Sequence, residues 1–327
     1  MSLAPFVHAM GRGPGRARSL TRDEAREAMG LILAGDAAPE AVGALLMLMR
    51  YRGETSDEIA GFVDAARAPL GAWVEAGGGL DWPCYAAGRS RGHPWFLLAA
   101  KLVATAGTPV LLHGWTANAG RVSDPRGALR SLGIAEVDTP AAARAALGRD
   151  RIAFLPLDAL SPGLLELLRL REVLGLRSAV NTVLRVLNPC RAPAAVQGVF
   201  HPPYRELQRA AACALGQPGL AVIKGGGGEF ERHPGKAVRV FGLAAGCPVD
   251  LVAPATVDGH CRLAEAPDPE TTPEGLWRGE VDDAFAEATV LGTAALALVA
   301  AARAASLAEA EGMARDLWRM RVRAVAA

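Results

Sequence analysis

Four consecutive glycines, residues 225–228, stand between Lys224 and two acidic residues in the segment KGGGGEFERHP. Glycine adopts positive φ without steric cost, and the amides of a glycine turn can surround a phosphate. The segment lacks the second glycine, lysine and Ser/Thr of a P-loop, and it lacks the spaced glycines of a dinucleotide site. The pattern therefore favours a plain glycine-rich turn and leaves phosphate binding as the alternative.

The other reactive side chains form no recognisable catalytic or metal-binding pattern. The five cysteines are scattered, and no two have the Cys-x-x-Cys spacing of a zinc or redox motif. No histidine has a spacing to serine, cysteine or aspartate from which a nucleophilic triad can be argued. We therefore predict reduced thiols, no metal, no cofactor and no catalytic residue.

Composition restricts the partners and the compartment. The 327 residues are 51% hydrophobic and carry a formal net charge of +1, so a sizeable core is available and no global basic field exists. Nucleic-acid binding would need a local basic patch. The longest apolar run, residues 291–302, is too short to cross a bilayer, and the N-terminus lacks the apolar region of a signal peptide. We expect a cytoplasmic protein without membrane contact.

Helix signals come first along the chain, and alternating strands and helices follow. Thr21 with Glu24, and Thr55 with Glu58, have capping-box spacing at the start of amphipathic segments. Segments such as TPVLLHG and GLAVIKG read as short buried strands between helices. The predicted fold is α/β: an N-terminal α-helical domain (1–75, with a returning helical segment near 160–188) and a larger α/β domain (76–327). The larger domain has a mostly parallel sheet flanked by helices.

Several segments resemble a known family. LTRDEAREAMGLILAG, GALLMLMRYRGETSDEIAGFVDAAR and LREVLGLRSAVNTVLRVLNP are similar to segments of anthranilate phosphoribosyltransferases, in the same order along nearly the whole chain. The resemblance implies a helical domain, an α/β domain and a cleft between them. It also implies a homodimer through the helical domain, and phosphoribosyl diphosphate with magnesium in the cleft of the active enzymes.

The positions that resemble the ligand site of this family depart from its motifs. The diphosphate loop should follow Asp81, where the chain reads WPCYAAGRSRG, and the lysine-histidine-glycine-asparagine motif becomes Leu-His-Gly-Trp, with His113 and Gly114 retained. The magnesium-binding Asp-Glu pair aligns with Phe230 and Glu231, preceded by Glu229. The resemblance therefore implies a degenerate ancestral ligand site, which consists of Asp81, His113, Gly114, Glu229 and Glu231.

Other segments resemble one branch of the family. MGRGPGRARSLTRDEAR, HPPYRELQ, KGGGGEFERHP and DPETTPEGLWRG are similar to the YbiB-like second paralogues, which keep the fold without the active-site motifs. That branch is associated with nucleic-acid binding. The resemblance thus predicts a non-enzymatic protein that binds single-stranded DNA or RNA with little sequence preference.

Basic residues in the same segments would neutralise the phosphates. The predicted contacts are Arg12, Arg16, Arg89, Arg91, Arg121, Arg177, Arg185, Arg191, Lys224 and Lys236. Four aromatic residues beside them are candidates for base stacking, although core packing is the better interpretation of each alone: Trp82, Tyr85, Trp95 and Trp115. Two alternatives remain: a glycosyltransferase that transfers phosphoribosyl groups with an altered diphosphate site, and a protein-interaction scaffold.

Overall fold

The computed structural model describes residues 2–13, 15–85, 92–115, 124–258, 263 and 271–325, and within them the chain forms helices and one eight-stranded sheet. The helices that precede the sheet are α1 (Ala4–Gly11), α2 (Arg22–Leu33), α3 (Pro39–Arg52), α4 (Ser56–Arg67) and α5 (Gly71–Val74). The strands are β1 (Leu80–Cys84), β2 (Val110–Gly114), β3 (Ala135–Glu136), β4 (Ile152–Pro156), β5 (Ala194–Val199), β6 (Gly219–Lys224), β7 (Val238–Ala244) and β8 (Cys247–Ala253). The remaining helices are α6 (Phe96–Thr105), α7 (Pro125–Leu129), α8 (Pro140–Asp150), α9 (Leu157–Leu160), α10 (Pro162–Arg169), α11 (Arg171–Leu174), α12 (Val180–Val186), α13 (Tyr204–Ala214), α14 (Pro273–Arg278), α15 (Ala284–Ala300) and α16 (Leu307–Val325).

The N-terminal helices begin at the residues that their caps predict. Both predicted capping boxes are present: Thr21 and Thr55 each accept a hydrogen bond from the backbone of the glutamate three residues later, whose carboxylate accepts one in return. Helix α1 was not predicted from the sequence. Its Phe6 and Met10 are buried in the core of the helical part.

Helix α1 changes the interpretation of α3. The segment AVGALLMLM of α3 has more large apolar side chains than a three-helix domain can readily bury, which predicts an exposed apolar face. Instead Leu45, Leu46 and Met49 are buried, and Leu48 lies against Gly11 at the end of α1. The expected exposed apolar face is therefore wrong, because a helix that sequence periodicity did not reveal covers part of it.

The sheet has the strand order β3-β4-β2-β1-β5-β6-β7-β8. Neighbouring strands from β3 to β6 are parallel, whereas β6, β7 and β8 pair antiparallel. The predicted fold class, a small helical domain followed by a mostly parallel sheet flanked by helices, is confirmed. The antiparallel hairpin of β7 and β8 was not predicted.

The central strands are buried on both faces because alternate side chains enter different cores. In β2 and β4, Leu111 and Leu155 face a core shared with the N-terminal helices, whereas Leu112 and Phe154 face a core that includes α6, α15 and α16. This double burial explains why these strands read as continuous apolar runs. It also fixes the register in which their carboxyl ends meet at one edge.

Helices α10 to α12 leave the α/β part and pack on the N-terminal helices. Gly163 of α10 lies against Leu33 of α2, and Gly43 of α3 lies against Leu174 of α11. The Nε of Arg67 donates to the carbonyl oxygen of Leu187 at 2.6 Å. The segment that carries Arg177 and Arg185 is thereby held between the two parts of the molecule.

Among the helices of the described residues, none is both long enough and apolar enough to span a membrane.

Candidate anion-binding site

The parallel strands end at one edge of the sheet, and the residues that follow them form the candidate site. Ligands of open α/β sheets bind in the crevice outside the carboxyl ends of the strands. Here β5 leads to Phe200, β6 leads to the glycine turn, and α12 lies above them. Gly114 at the end of β2 lies so close to the carbonyl of Cys84 that a Cβ would be only 2.1 Å from that oxygen.

The four glycines form a closely packed turn. A Cβ on Gly225 would lie 1.7 Å from the carbonyl oxygen of Glu229, and Gly227 and Gly228 adopt φ of 66° and 95°. The amides of Gly225, Gly228 and Glu229 donate to the carbonyls of Val199, Gly225 and Gly226, respectively. Because these three amides already donate to carbonyl oxygens of the protein, they are not available to bind a phosphate.

Glu231 belongs to the interior of the protein. Its side chain is completely buried, and one carboxylate oxygen accepts a hydrogen bond from the backbone N–H of Phe96 at 3.0 Å. Phe96 is the first residue of α6, so the carboxylate lies at the positive end of that helix. The neighbouring Phe230 is equally buried and packs edge-on against Trp82, with ring centroids 5.5 Å apart.

Asp81, His113 and Tyr85 form a buried polar chain. The Oη of Tyr85 lies 2.8 Å from Nδ1 of His113, and Nε2 of His113 lies 3.2 Å from a carboxylate oxygen of Asp81. With hydrogen on Nε2, Nδ1 accepts from the tyrosine hydroxyl, whereas Nε2 and the carboxylate oxygens of Asp81 make no hydrogen bond among the described residues. Burial raises the pKa of Tyr85 well above its ordinary value, so its hydroxyl stays protonated.

Arg185 connects this chain to the glycine turn. Its guanidinium donates to the carbonyl oxygens of Asn181 at 2.8 Å and of Tyr85 at 3.2 Å. Burial lowers the pKa of Arg185, and the negative charge of Glu229 opposes that shift. Gly228 approaches the same guanidinium, since a Cβ there would lie 3.5 Å from Nη2. Arg185 is thus a buried structural cation at the floor of the site.

The burial of the aromatic residues corrects the prediction of base stacking. Trp82, Tyr85 and Trp95 are buried in the protein and present no ring face to a ligand, while Trp115 is half-buried. The other interpretation given by the sequence, packing in the protein core, describes the three buried rings. An exposed aromatic ring is instead supplied by Phe200, of which 51% is accessible and which packs edge-on against His201.

A depression that is partly open to solvent lies between α3, α12 and the start of α13. We call it the arginine pocket, since Arg50, Arg177 and Arg185 line it together with Asn181, Phe200, Tyr204 and Gln208. Burial lowers the pKa of Arg177, and the neighbouring cations Arg171 and Arg50 add to that effect. The pocket therefore concentrates positive charge at a partly desolvated position.

A second depression adjoins the first along α13. We call it the lysine groove, because Lys224 and Lys236 line it with Arg205, His233, Gly225 and Gly226. Tyr204 lines the pocket and the next residue, Arg205, lines the groove, and the amide of Gly225 in the groove donates to the carbonyl of Val199 in the pocket, so the two depressions are neighbours. Lys224 and Lys236 are both exposed.

The structure distributes the predicted nucleic-acid contacts unevenly. Arg177, Arg185, Lys224 and Lys236 line the two depressions. Arg191 precedes β5, at the opposite edge of the sheet, because parallel strands place all their amino ends there. Its predicted convergence with the others is therefore wrong.

The remaining predicted cations lie elsewhere. Arg12 and Arg16 are exposed in the segment after α1 and line neither depression. Arg89, Arg91 and Arg121 lie outside the described residues.

Arg50, Arg205 and Phe200 were missed by sequence reasoning. Arg50 lies in the last turn of α3, and its Nη1 donates to the hydroxyl of Tyr204 at 2.6 Å. The segment HPPYRELQ resembles the YbiB-like branch, but no sequence pattern indicates that its Tyr204 and Arg205 face α3 and the glycine turn.

Comparison with known proteins agrees with this architecture. Residues 6–69 match the helical bundle domain of the glycosyl transferase family. Anthranilate phosphoribosyltransferase of Geobacillus kaustophilus is 30% identical over 312 residues, which cover 91% of this chain and 90% of that protein. The chain belongs to the anthranilate phosphoribosyltransferase family. The family member of Beijerinckia indica is 31% identical over 314 residues, covering 93% of this chain and 89% of that protein.

A solved anthranilate phosphoribosyltransferase has the same fold. The crystal structure of the Thermus thermophilus protein aligns with a TM-score of 0.78 and covers 99% of this chain and 96% of that one. Its sequence identity is 23%, so this likeness establishes the shared fold and no more.

The magnesium implied by the resemblance to anthranilate phosphoribosyltransferases does not fit the residues present. A magnesium ion needs several oxygen ligands around a site that keeps water. Glu231 is buried and engaged at the start of α6, and the adjacent position is the apolar Phe230. Among the described residues, no group of three acidic, histidine or cysteine side chains could hold a metal ion. The structure therefore offers no basis for a metal-assisted step at this position.

Proposed function

We propose that this member of the anthranilate phosphoribosyltransferase family binds single-stranded nucleic acid without transferring phosphoribosyl groups. One observation carries the proposal. The arginine pocket and the lysine groove adjoin, and their described lining residues include six arginines and lysines and no carboxylate: Arg50, Arg177, Arg185, Arg205, Lys224 and Lys236. In a protein with a formal net charge of +1, this is a local concentration of positive charge.

Such an arrangement suits a phosphate backbone. Each neutralised phosphate releases counterions, so several cations along two neighbouring depressions give an affinity that falls steeply with salt. The exposed ring of Phe200 at the boundary provides a face on which a base can stack, independent of sequence. The resemblance to the YbiB-like branch points in the same direction, and assignment to that branch is part of the proposal.

Charge-removing variants test the proposal through the salt dependence of binding. Lys224→Gln and Lys236→Gln remove exposed cations from the groove without disturbing the core. Each should weaken binding equally for different sequences and reduce the slope of log affinity against log salt by about 0.7. The measurement is fluorescence anisotropy with a labelled oligonucleotide that has hydroxyl groups at both ends, at several salt concentrations.

Arg191→Gln is the matched control. Arg191 is also exposed, but it lies at the opposite edge of the sheet. It should leave both affinity and slope unchanged. An unaltered slope in the double lysine variant, or a loss of affinity in the Arg191 variant as large as in the lysine variants, would show that the groove is not the binding surface.

Phosphoribosyl transfer is the second candidate, and the comparisons favour it over nucleic-acid binding. The relatives at 30% and 31% identity are named anthranilate phosphoribosyltransferases, and they match nearly the whole chain. Arg177 lies in the arginine pocket, where its charge could bind an anionic substrate. Phosphoribosyl transfer would require this chain to bind diphosphate without the Asp-Glu pair. It would also have to do so without the amides of Gly225, Gly228 and Glu229, which donate to carbonyl oxygens of the protein.

An assay separates the two candidates. Purified protein is mixed with anthranilate, phosphoribosyl diphosphate and magnesium, and the loss of anthranilate fluorescence is followed. We expect no turnover above the protein-free control, because leaving-group stabilisation by a metal is a major part of such catalysis. Magnesium-dependent turnover that Arg177→Gln abolishes would establish the transferase instead.

A further inference from the structure

The arginine pocket has a buried floor and an exposed rim. Arg185, Asn181 and Gln208 at the floor are 6%, 8% and 2% exposed, whereas Phe200 at the rim is 51% exposed. A phosphodiester inside a continuous strand carries a sugar on each side, so the strand must enter and leave such a pocket. A terminal phosphate is attached to a sugar on one side only, so the end of a strand can enter a pocket that has a single opening. The shape of the pocket therefore favours a terminus.

The described lining of the arginine pocket contains three arginines and no acidic residue that could balance their positive charge. Arg177 makes no hydrogen bond or ion pair with a described residue, and Arg50 donates to the neutral hydroxyl of Tyr204. The nearest acidic contacts lie behind the lining: Glu54 accepts from Tyr204 at 3.0 Å, and Glu229 acts on Arg185. A terminal phosphomonoester carries a charge of about −1.5 to −2 at neutral pH, against −1 for an internal phosphodiester.

Two buried carboxamide side chains at the floor of the pocket each have an atom that needs a hydrogen-bond partner. Nδ2 of Asn181 and Oε1 of Gln208 have no hydrogen-bond partner among the described residues. Unpaired buried polar atoms are costly, so a ligand that satisfies them gains affinity. A phosphate oxygen accepts from the amide of Asn181, and a sugar hydroxyl or base amine donates to Gln208. A nucleotide supplies both groups, whereas inorganic phosphate in its dianionic form offers chiefly acceptors.

We propose that the arginine pocket binds the terminal phosphomonoester of a single-stranded nucleic acid, with the end base against Phe200. The inference rests on the proposed function and refines it: the lysine groove holds the internal backbone and the pocket selects the end. The shared chemistry is a phosphomonoester on a nucleotide, which either a 5′ or a 3′ phosphate can provide.

Oligonucleotides of one sequence with different ends test the inference. Four internally labelled strands carry a 5′ phosphate, a 3′ phosphate, both phosphates or only hydroxyl groups, and their affinities are compared by fluorescence anisotropy at a fixed salt concentration. We expect one phosphorylated end to increase affinity about tenfold over the hydroxyl strand, because the additional charge meets Arg177, which has no ion pair among the described residues. The two single-phosphate strands identify which end is bound.

Variants distinguish binding of the strand end in the arginine pocket from general electrostatic attraction to the protein surface. Arg177→Gln should remove the advantage of the phosphorylated end, Arg177→Lys should restore part of it, and Arg191→Gln should retain it fully. A nucleoside monophosphate should compete for the end-dependent component better than inorganic phosphate does.

Each outcome has a distinct meaning. Equal affinity for phosphorylated and hydroxyl strands would overturn the inference and leave the proposed function standing. Absence of binding to all four strands would overturn both. An end preference that survives in a folded Arg177→Gln protein, verified by circular dichroism, would also overturn the inference, since the end would then be recognised elsewhere.

Discussion

The carboxylate of Glu231 accepts a hydrogen bond from the backbone N–H of Phe96, and the two residues are 135 positions apart in the chain. The contact places a buried negative charge at the start of α6, where unpaired backbone donors and the helix dipole favour an anion. A helix start of this kind is a common place for a phosphate. Here the protein supplies its own anion at that place.

We predict that Glu231 contributes to stability. Glu231→Ala leaves a buried N–H of α6 without its partner, which should lower the free energy of unfolding by about 1–3 kcal/mol. Glu231→Gln retains an acceptor oxygen and should lose less. Urea denaturation measures both, with Glu206→Ala, an exposed glutamate in the first turn of α13, as the control. If magnesium stabilised the wild type and not Glu231→Ala, a metal-binding role would replace the structural one.

A second prediction concerns the hydroxyl of Tyr85. Tyr85→Phe removes the partner of Nδ1 of His113 within the core, which should cost about 1–3 kcal/mol of unfolding free energy. Tyr51→Phe is the matched control, because Tyr51 is 90% exposed and should change stability by less than about 0.5 kcal/mol. Equal urea midpoints for the two variants would show that the buried contact contributes nothing.

The third prediction is a pH dependence that arises at the N-terminal helices. The guanidinium of Arg18 donates two hydrogen bonds to Glu24 and lowers the pKa of that carboxyl from 4.5 to about 2. Because the folded-state pKa is depressed, the stabilisation is complete above pH 4.5 and is lost as pH falls toward 2. The wild type should therefore exceed Glu24→Gln in urea midpoint by a constant amount at neutral pH, and the difference should shrink across this window. A difference that does not change with pH would contradict the ion pair.

The fourth prediction is a homodimer that forms through the N-terminal helices. Helix α1 covers part of the apolar face of α3, but Tyr51, Val173 and Leu176 remain exposed, with accessibilities of 90%, 82% and 54%. Exposed apolar residues on one part of a protein commonly mark an interface. We expect light scattering at micromolar concentration to give about twice the chain mass of 34.0 kDa. A monomer mass would refute the prediction.

Much of the fold was predictable because local physics specifies it. The caps Thr21 and Thr55 act within one helical turn, so their spacing alone located the starts of α2 and α4. Buried apolar runs likewise predicted β2 and β6. Helix α1 was missed because glycines and arginines follow it closely, and the hairpin of β7 and β8 was missed because much of β8 is exposed and lacks a buried apolar run.

The site was less predictable. Lys224 and Arg177 were identified from their neighbours in the chain, and both do line the depressions. Arg191 was assigned to the same surface on the same reasoning, although it lies at the amino ends of the strands. Arg191 lies only a few residues before β5, and sequence proximity to a family motif does not reveal which edge of the sheet a loop occupies.

Residue types and their spacing along the chain were enough to predict many of the elements, the family and the loss of motifs. Only the tertiary structure decided which charged groups are available. Glu231 and Arg232 are both fully buried, whereas Lys224, a few residues earlier, is exposed. Solvent access and hydrogen-bond partners depend on elements far apart in the chain, such as α6 for Glu231 and α16 for Arg232. The packing of those distant elements left Arg177 without a described partner and surrounded the arginine pocket with cations.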